Sequence, residues 1–185
     1  MSKGKDMKLA WSHCVLRVRD LEAMVAFYSD VLGFQVSDRG LLGPDGPKIV
    51  FLSGSSSDHH QIAFAPTRTD EEATSLEHNA FRTGSIADVR AMFERVSEDD
   101  RASRVMPLTH GNAVSVYFSD PELNGIEVFC DTPWHVKQPK LKKWDPSLSD
   151  EEVLAFVEGK FRDDSEFMPM EQYRAERAKA FGELD

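Results

Sequence analysis

The 185-residue chain matches itself at an offset of 65 residues. The segment SHCVLRVRDLEAMVAFYSDVLG, from Ser12, falls on EHNAFRTGSIADVRAMFERVSE, from Glu77. His13 falls on His78 and Arg17 on Arg82. Leu21, Met24, Phe27, Tyr28 and Val31 fall on Ile86, Val89, Met92, Phe93 and Val96, which are helix-face positions. Asp20 falls on Ser85, and both have a short side-chain oxygen that can accept from an unpaired amide of a first helical turn. Residues 48–52 fall on residues 113–117. A chain with such a repeat builds one supersecondary unit twice, and this restricts its folds more than any single motif does.

Each repeat reads as a strand, a helix and further strands. In the first, residues 11–18 are strand-like and residues 21–32 form an amphipathic helix closed by Gly33. Residues 34–36, 48–52 and 60–64 are the following strands, separated by turns at Gly40, residues 43–47 and residues 54–57. The expected class is α+β: two tandem βαβββ modules, 9–66 and 76–132, within one domain spanning 9–132. One helix covers one face of each sheet, and the two open faces can join into a cup. An N-terminal arm (1–8) precedes this domain, and a helical C-terminal extension (133–185) follows it. The extension reads as a basic stretch, then helices at 149–160 and 169–184, packed over the cup or on a neighbouring subunit.

Composition narrows the class of function. Hydrophobic residues make up 41% and charged residues 29%, a globular balance. Acidic residues outnumber basic ones 32 to 22, for a net charge of −10, which disfavours nucleic acid. No apolar run approaches the ~18 residues of a membrane span. The N-terminus lacks the apolar core of a secretory signal. Cys14 and Cys130 are too few for a disulfide scaffold, so a cytoplasmic protein acting on small molecules is expected. Open-faced sheets and helical tails make a homo-oligomer the expected state.

Strand alternation places the polar residues. Trp11, His13, Val15 and Arg17 share one face, while Cys14, Leu16 and Val18 share the apolar one. His78, Ala80 and Arg82 lie together in the matching strand. Glu127 alternates with Ile126 and Val128, and a carboxylate in so apolar a strand needs a partner. Two imidazoles and a carboxylate facing one cavity make a 2-His-1-carboxylate triad, which favours non-haem Fe(II) and leaves positions open for substrate. The structural alternative is two half-buried histidines, with Glu127 paired to Arg17 or Arg82. His60 is placed on the fourth strand, sharing a face with Ile62 and Phe64, as a fourth ligand, a proton carrier or a loop residue. His110 leads into the strand containing Tyr117, whose phenol is either packed with its hydroxyl satisfied or a donor to a bound oxyanion. His135 reads as a surface residue.

With these residues in place, the sequence resembles the vicinal oxygen chelate (glyoxalase/bleomycin resistance/dioxygenase) superfamily over about 9–132. It is most similar to one-domain type I extradiol dioxygenases, the catechol and 2,3-dihydroxybiphenyl enzymes. AFYSDVLGF marks the superfamily, and the His110 to Glu127 segment, with Tyr117 and Asp120-Pro121, is the more specific part. The resemblance implies that His13, His78 and Glu127 hold Fe(II), or Mn(II). It implies that His60 is an acid-base group, that Tyr117 hydrogen-bonds the diol and that His110 helps bind it. The substrates would be a catecholic small molecule and O2, in aromatic compound catabolism. Two other classes remain: another metal-dependent enzyme of this architecture (glyoxalase, epimerase or thiol transferase), with a fourth ligand at His60 or Gln61, and a metal-free small-molecule binding protein.

Overall fold

The computed structural model describes residues 9–183. The expected arm at 1–8 lies outside the described residues. The chain divides after Ala73 into two compact units.

The first unit contains β1 (Cys14–Arg17), α1 (Leu21–Asp30), β2 (Gln35–Leu41), β3 (Lys48–Ser53) and β4 (Ile62–Ala65). Its sheet has the order β1-β4-β3-β2, with β1 parallel to β4 and the other pairs antiparallel. Asp20 caps α1 by accepting from the Ala23 amide. Gly33, at φ +75°, follows the helix in a left-handed conformation suited to glycine. Met24, Phe27 and Tyr28 on α1 are fully buried, as are Val50, Leu52 and Phe64 of the sheet. Each such side chain contributes roughly 1.5–3 kcal/mol relative to exposure.

The second unit repeats the plan with β5 (Asn79–Arg82), α2 (Ile86–Glu98), β6 (Ser103–Thr109), β7 (Ala113–Ser119) and β8 (Gly125–Asp131). Ser85 caps α2 by accepting from the Asp88 amide. The strands order as β6-β7-β8-β5, with β5 parallel to β8. The extension adds β9 (Trp134–His135), β10 (Lys142–Lys143), α3 (Asp150–Phe161), β11 (Met168–Pro169) and α4 (Met170–Ala180). β10 lengthens the second sheet beside β6, and β9 pairs with β11. Ser149 and Glu152 form a reciprocal capping box at the start of α3.

This is the expected α+β class, with the helical extension packed on the second unit. Arg90 of α2 donates to the carbonyls of Pro146 and Leu148 and to Asp150, at 2.7–2.9 Å. The Trp144 indole donates to the Ser115 carbonyl at 2.9 Å. No helix of the described residues is long and apolar enough to cross a membrane.

Several local expectations are corrected. The first strand starts at Cys14 rather than Trp11, which is 83% exposed. The second runs on through Gly40 to Leu41, because β3 is long enough to pair with it across a bulge between Val36 and Asp38. The fourth starts at Ile62, so His60 precedes it. Gln61 closes the preceding loop instead: its side chain accepts from the Gly54 amide at 3.0 Å, and its own amide donates to Leu52. His135 is buried, stacked 3.7 Å from Tyr173.

The repeat register also drifts. The offset of 65 holds for the first strands and for the start of the helices. Cys14 pairs with Ile62 whereas Asn79 pairs with Ile126, so the last strands match at 126 − 62 = 64. Leu52 pairs with Ile62 and Phe118 with Ile126, so the third strands match at 118 − 52 = 66. Residues 48–52 therefore do not match 113–117: Tyr117 is the counterpart of Phe51, and Glu127 of Ala63. Loops absorb insertions and deletions that paired strands cannot, and here the connector before the last strand is the shorter one in the second unit.

Candidate metal and diol-binding site

In the first unit, His13 sits one residue before β1 and is exposed. Its Nδ1 lies 3.1 Å from the Ser12 hydroxyl. The His60 ring packs 4.3 Å from the His13 ring and 4.9 Å from that of Phe51, and its Nδ1 is 3.0 Å from that of His59. Phe51 pairs with Ala63, so it shares the face opposite Ile62 and Phe64. His60 therefore packs with the His13 side of the sheet, not with Ile62 and Phe64 as strand alternation implied. Alternation fails there because residues 59–61 are loop. Burial, then the neighbouring His13 and His59 rings, hold the His60 imidazole below its usual range.

In the second unit, Glu127 lies between Tyr117 on β7 and Ala80 on β5, in register with both. It is 8% exposed. Ser115, two residues before Tyr117 and so on the same face, donates to its Oε1 at 2.7 Å. The His78 Nε2 stands 3.4 Å from its Oε2. Close approach of the His78 lead-in depends on Gly125: a Cβ there would lie 1.9 Å from the Glu77 carbonyl oxygen and 3.0 Å from the His78 Cβ.

Tyr117 completes this cluster. Its ring packs edge-on to His78, with centroids 5.3 Å apart, and its hydroxyl lies 2.8 Å from the His110 Nε2. Burial first, and then the Glu127 carboxylate, push the phenol well above its usual range, so the hydroxyl keeps its proton. His110 is half-buried, and its Nδ1 lies 2.6 Å from the Lys140 carbonyl oxygen. A cavity of about 300 Å³ opens here, lined by His110, Asn112, Ala113, Tyr117, Glu127, Phe129 and Gln138.

The second unit thus gathers His78, Glu127, Tyr117 and His110, and the first gathers His13 and His60. Within neither unit do three His, Cys, Asp or Glu side chains of the described residues form a group that could hold a metal. The His78–Glu127 pair nevertheless fits two of a divalent ion's ligands. Two donors at ~2.0–2.2 Å from one ion, at right angles, stand about 3 Å apart. Within the second unit Glu127 does not pair with Arg82, which pairs with Asp131 at 3.5 Å, and within the first unit Arg17 pairs with Glu72 at 2.9 Å. Gln61, the alternative fourth ligand, has its side-chain oxygen on the Gly54 amide. Phe64 and Phe118 are core residues, whereas Phe129 lines the cavity. Ser115, Gln138 and the Lys140 carbonyl were not among the expected site groups. Ser115 is recoverable from the period-2 pattern of β7, whereas the other two carry no sequence signal.

Comparison with known proteins agrees with this architecture. Residues 11–128 match the Glyoxalase/Bleomycin resistance protein/Dioxygenase superfamily model. The chain is 27% identical to "Metapyrocatechase" of Pseudomonas sp. (strain CF600) over 136 residues, covering 72% of this chain and 43% of that protein. It is 34% identical to "Biphenyl-2,3-diol 1,2-dioxygenase" of Metapseudomonas furukawaii over 119 residues, covering 63% and 38%. The chain therefore spans about two fifths of the length of these two relatives. Among solved structures, the fosfomycin resistance protein FosX from Listeria monocytogenes, complexed with Mn(II) and sulfate, superposes with a TM-score of 0.54. That match is 21% identical in sequence, covers 68% of this chain and 95% of FosX, and shows the fold alone. From its paired βαβββ units and the match over 11–128, this chain belongs to the glyoxalase/bleomycin resistance protein/dioxygenase superfamily.

Proposed function

We propose that this chain is an extradiol ring-cleaving dioxygenase, adding both atoms of O2 to a catechol-type aromatic diol. In this reading His13, His78 and Glu127 hold Fe(II), with Mn(II) as the other candidate. When bound, such an ion supplies chelation of the diol and the one-electron chemistry that dioxygen requires. The observation that carries the reading is the convergence of His78, Glu127, Tyr117 and His110 on one sheet face. The dioxygenase names of the sequence relatives support it.

The chain's own groups divide the remaining work. Glu127, with one oxygen held by Ser115, presents the other beside His78. Tyr117 keeps its proton and faces His110, so its oxygen can accept from a diol hydroxyl while its own proton moves to the His110 Nε2. Tyr117 then donates to the diol oxyanion it has helped to form. His60, its imidazole held below the usual range, carries a proton in the later steps. Cys14 and Cys130 form no disulfide among the described residues, which suits a reducing cytoplasm. Aromatic compound catabolism is the setting, and a homo-oligomer the working form.

The test is an aerobic assay of Fe(II)-loaded protein with catechol, 3-methylcatechol and 2,3-dihydroxybiphenyl. A yellow ring-fission product with matching oxygen uptake is expected from at least one. Absence of both with all three diols overturns the proposal.

A further inference from the structure

Residues 136–140 of the extension hold His110 from two sides. The His110 Nδ1 lies 2.6 Å from the Lys140 carbonyl oxygen. A carbonyl carries no proton, so Nδ1 is the donor. In the neutral ring Nε2 is then an acceptor, and the Tyr117 hydroxyl, 2.8 Å away, can donate to it in competition with the Glu127 carboxylate that also faces the phenol. The peptide that offers the carbonyl is itself tied to His110 through Gln138. The Gln138 Nε2 donates to the His110 carbonyl at 2.8 Å and to the Val136 carbonyl at 3.0 Å. The Gln138 Oε1 accepts from the Lys140 amide at 3.0 Å.

The packing beneath leaves little slack. Gly111, next to His110, has φ +85°, and a Cβ there would lie 2.4 Å from the Val136 Cγ2 and 3.1 Å from Phe161. On the far side the Lys140 Nζ is anchored on Asp164 at 3.0 Å. Gln138 is exposed and lines the same cavity as Tyr117 and Glu127. A solvent-exposed glutamine that makes three backbone hydrogen bonds around one histidine is a staple rather than a core element.

We propose that Gln138 is a positioning residue: it clamps residues 136–140 across the His110 backbone and so fixes His110 as the Nδ1–H tautomer that accepts from Tyr117. Without the clamp the Lys140 carbonyl shifts away and the ring is free to adopt the Nε2–H form. That form donates to the Tyr117 oxygen and cannot take its proton. The tautomer stands on these bonds alone, whereas its effect on turnover rests on the dioxygenase reading.

The experiment is a long-range 1H–15N correlation spectrum of the histidine rings in the full-length, metal-free protein. It is recorded near pH 8, above the ~6.5 of a free imidazole. The His110 signals are assigned by their loss in His110→Gln. The unaltered protein is expected to show His110 as Nδ1–H. Gln138→Ala is expected to move the ring toward Nε2–H. Gln138→Glu, which keeps the acceptor for the Lys140 amide and loses the donor to His110, is expected to move it in the same direction. Circular dichroism checks that both variants fold. In Fe(II)-loaded protein acting on catechol, the same variants are expected to lose roughly tenfold in kcat, with little change in KM. An Nε2–H ring in the unaltered protein, or an unmoved tautomer in both folded variants, overturns the proposal. A tautomer that moves as expected, in a protein that cleaves no diol, upholds the positioning role and overturns the dioxygenase reading.

Discussion

Ser115 shows how much one hydroxyl can matter beside a buried carboxylate. Its hydrogen bond occupies one oxygen of Glu127 and leaves the other facing His78. Partners of this kind set the orientation of a metal ligand, and losing one typically costs 10- to 100-fold in affinity. Ser115→Ala is therefore expected to weaken Fe(II) binding about tenfold, measured by titrating the ion into stripped protein under anaerobic conditions. An unchanged affinity would mean that Glu127 needs no such support, or holds no metal. At this scale the sequence was informative wherever a side chain lies in a regular strand. Glu127 and Tyr117 face each other in register, and period 2 alone places Ser115 with them. It failed at His60, where the strand begins two residues later than the pattern suggests and the loop turns the ring toward His13.

Elements approach each other only as closely as their smallest residues allow. β8 begins at Gly125, and the chain entering β5 passes directly over it. A methyl group there would collide with the Glu77 carbonyl, which is backbone and cannot rotate away. Gly125→Ala is expected to destabilise the fold by on the order of 1–3 kcal/mol. It is also expected to move His78 away from Glu127. Chemical denaturation measures the first effect, and metal affinity the second. A variant of full stability and full affinity would show that β5 adjusts freely. The helices were legible because caps and apolar spacing are local: Asp20, Ser85 and Ser149 each accept the amide bond that their positions imply. The long β2 was not, because only its pairing with β3 carries it past Gly40.

Across the whole molecule, the extension contributes to the second unit rather than trailing from it. Trp144, Val153, Val157 and Phe161 are all at most 3% exposed. At roughly 1.5–3 kcal/mol each, four such side chains rival the whole stability of about 5–15 kcal/mol typical of a domain. A chain truncated after Pro133 is expected to lose cooperative unfolding, followed by circular dichroism during heating. A sharp transition at the temperature of the full chain would show that the first 133 residues need no covering.

The sequence by itself determined the two βαβββ units, their capped helices and the face on which Glu127 lies, because these follow from the repeat and from spacings within single elements. Only the tertiary structure decided the drift of the repeat from 65 to 64 and 66, the turn of His60 toward His13, and the capture of His110 by residues 136–140. Those depend on loop lengths and on contacts between residues roughly thirty to fifty positions apart. Such distances enter no local periodicity and are settled only when the chain packs.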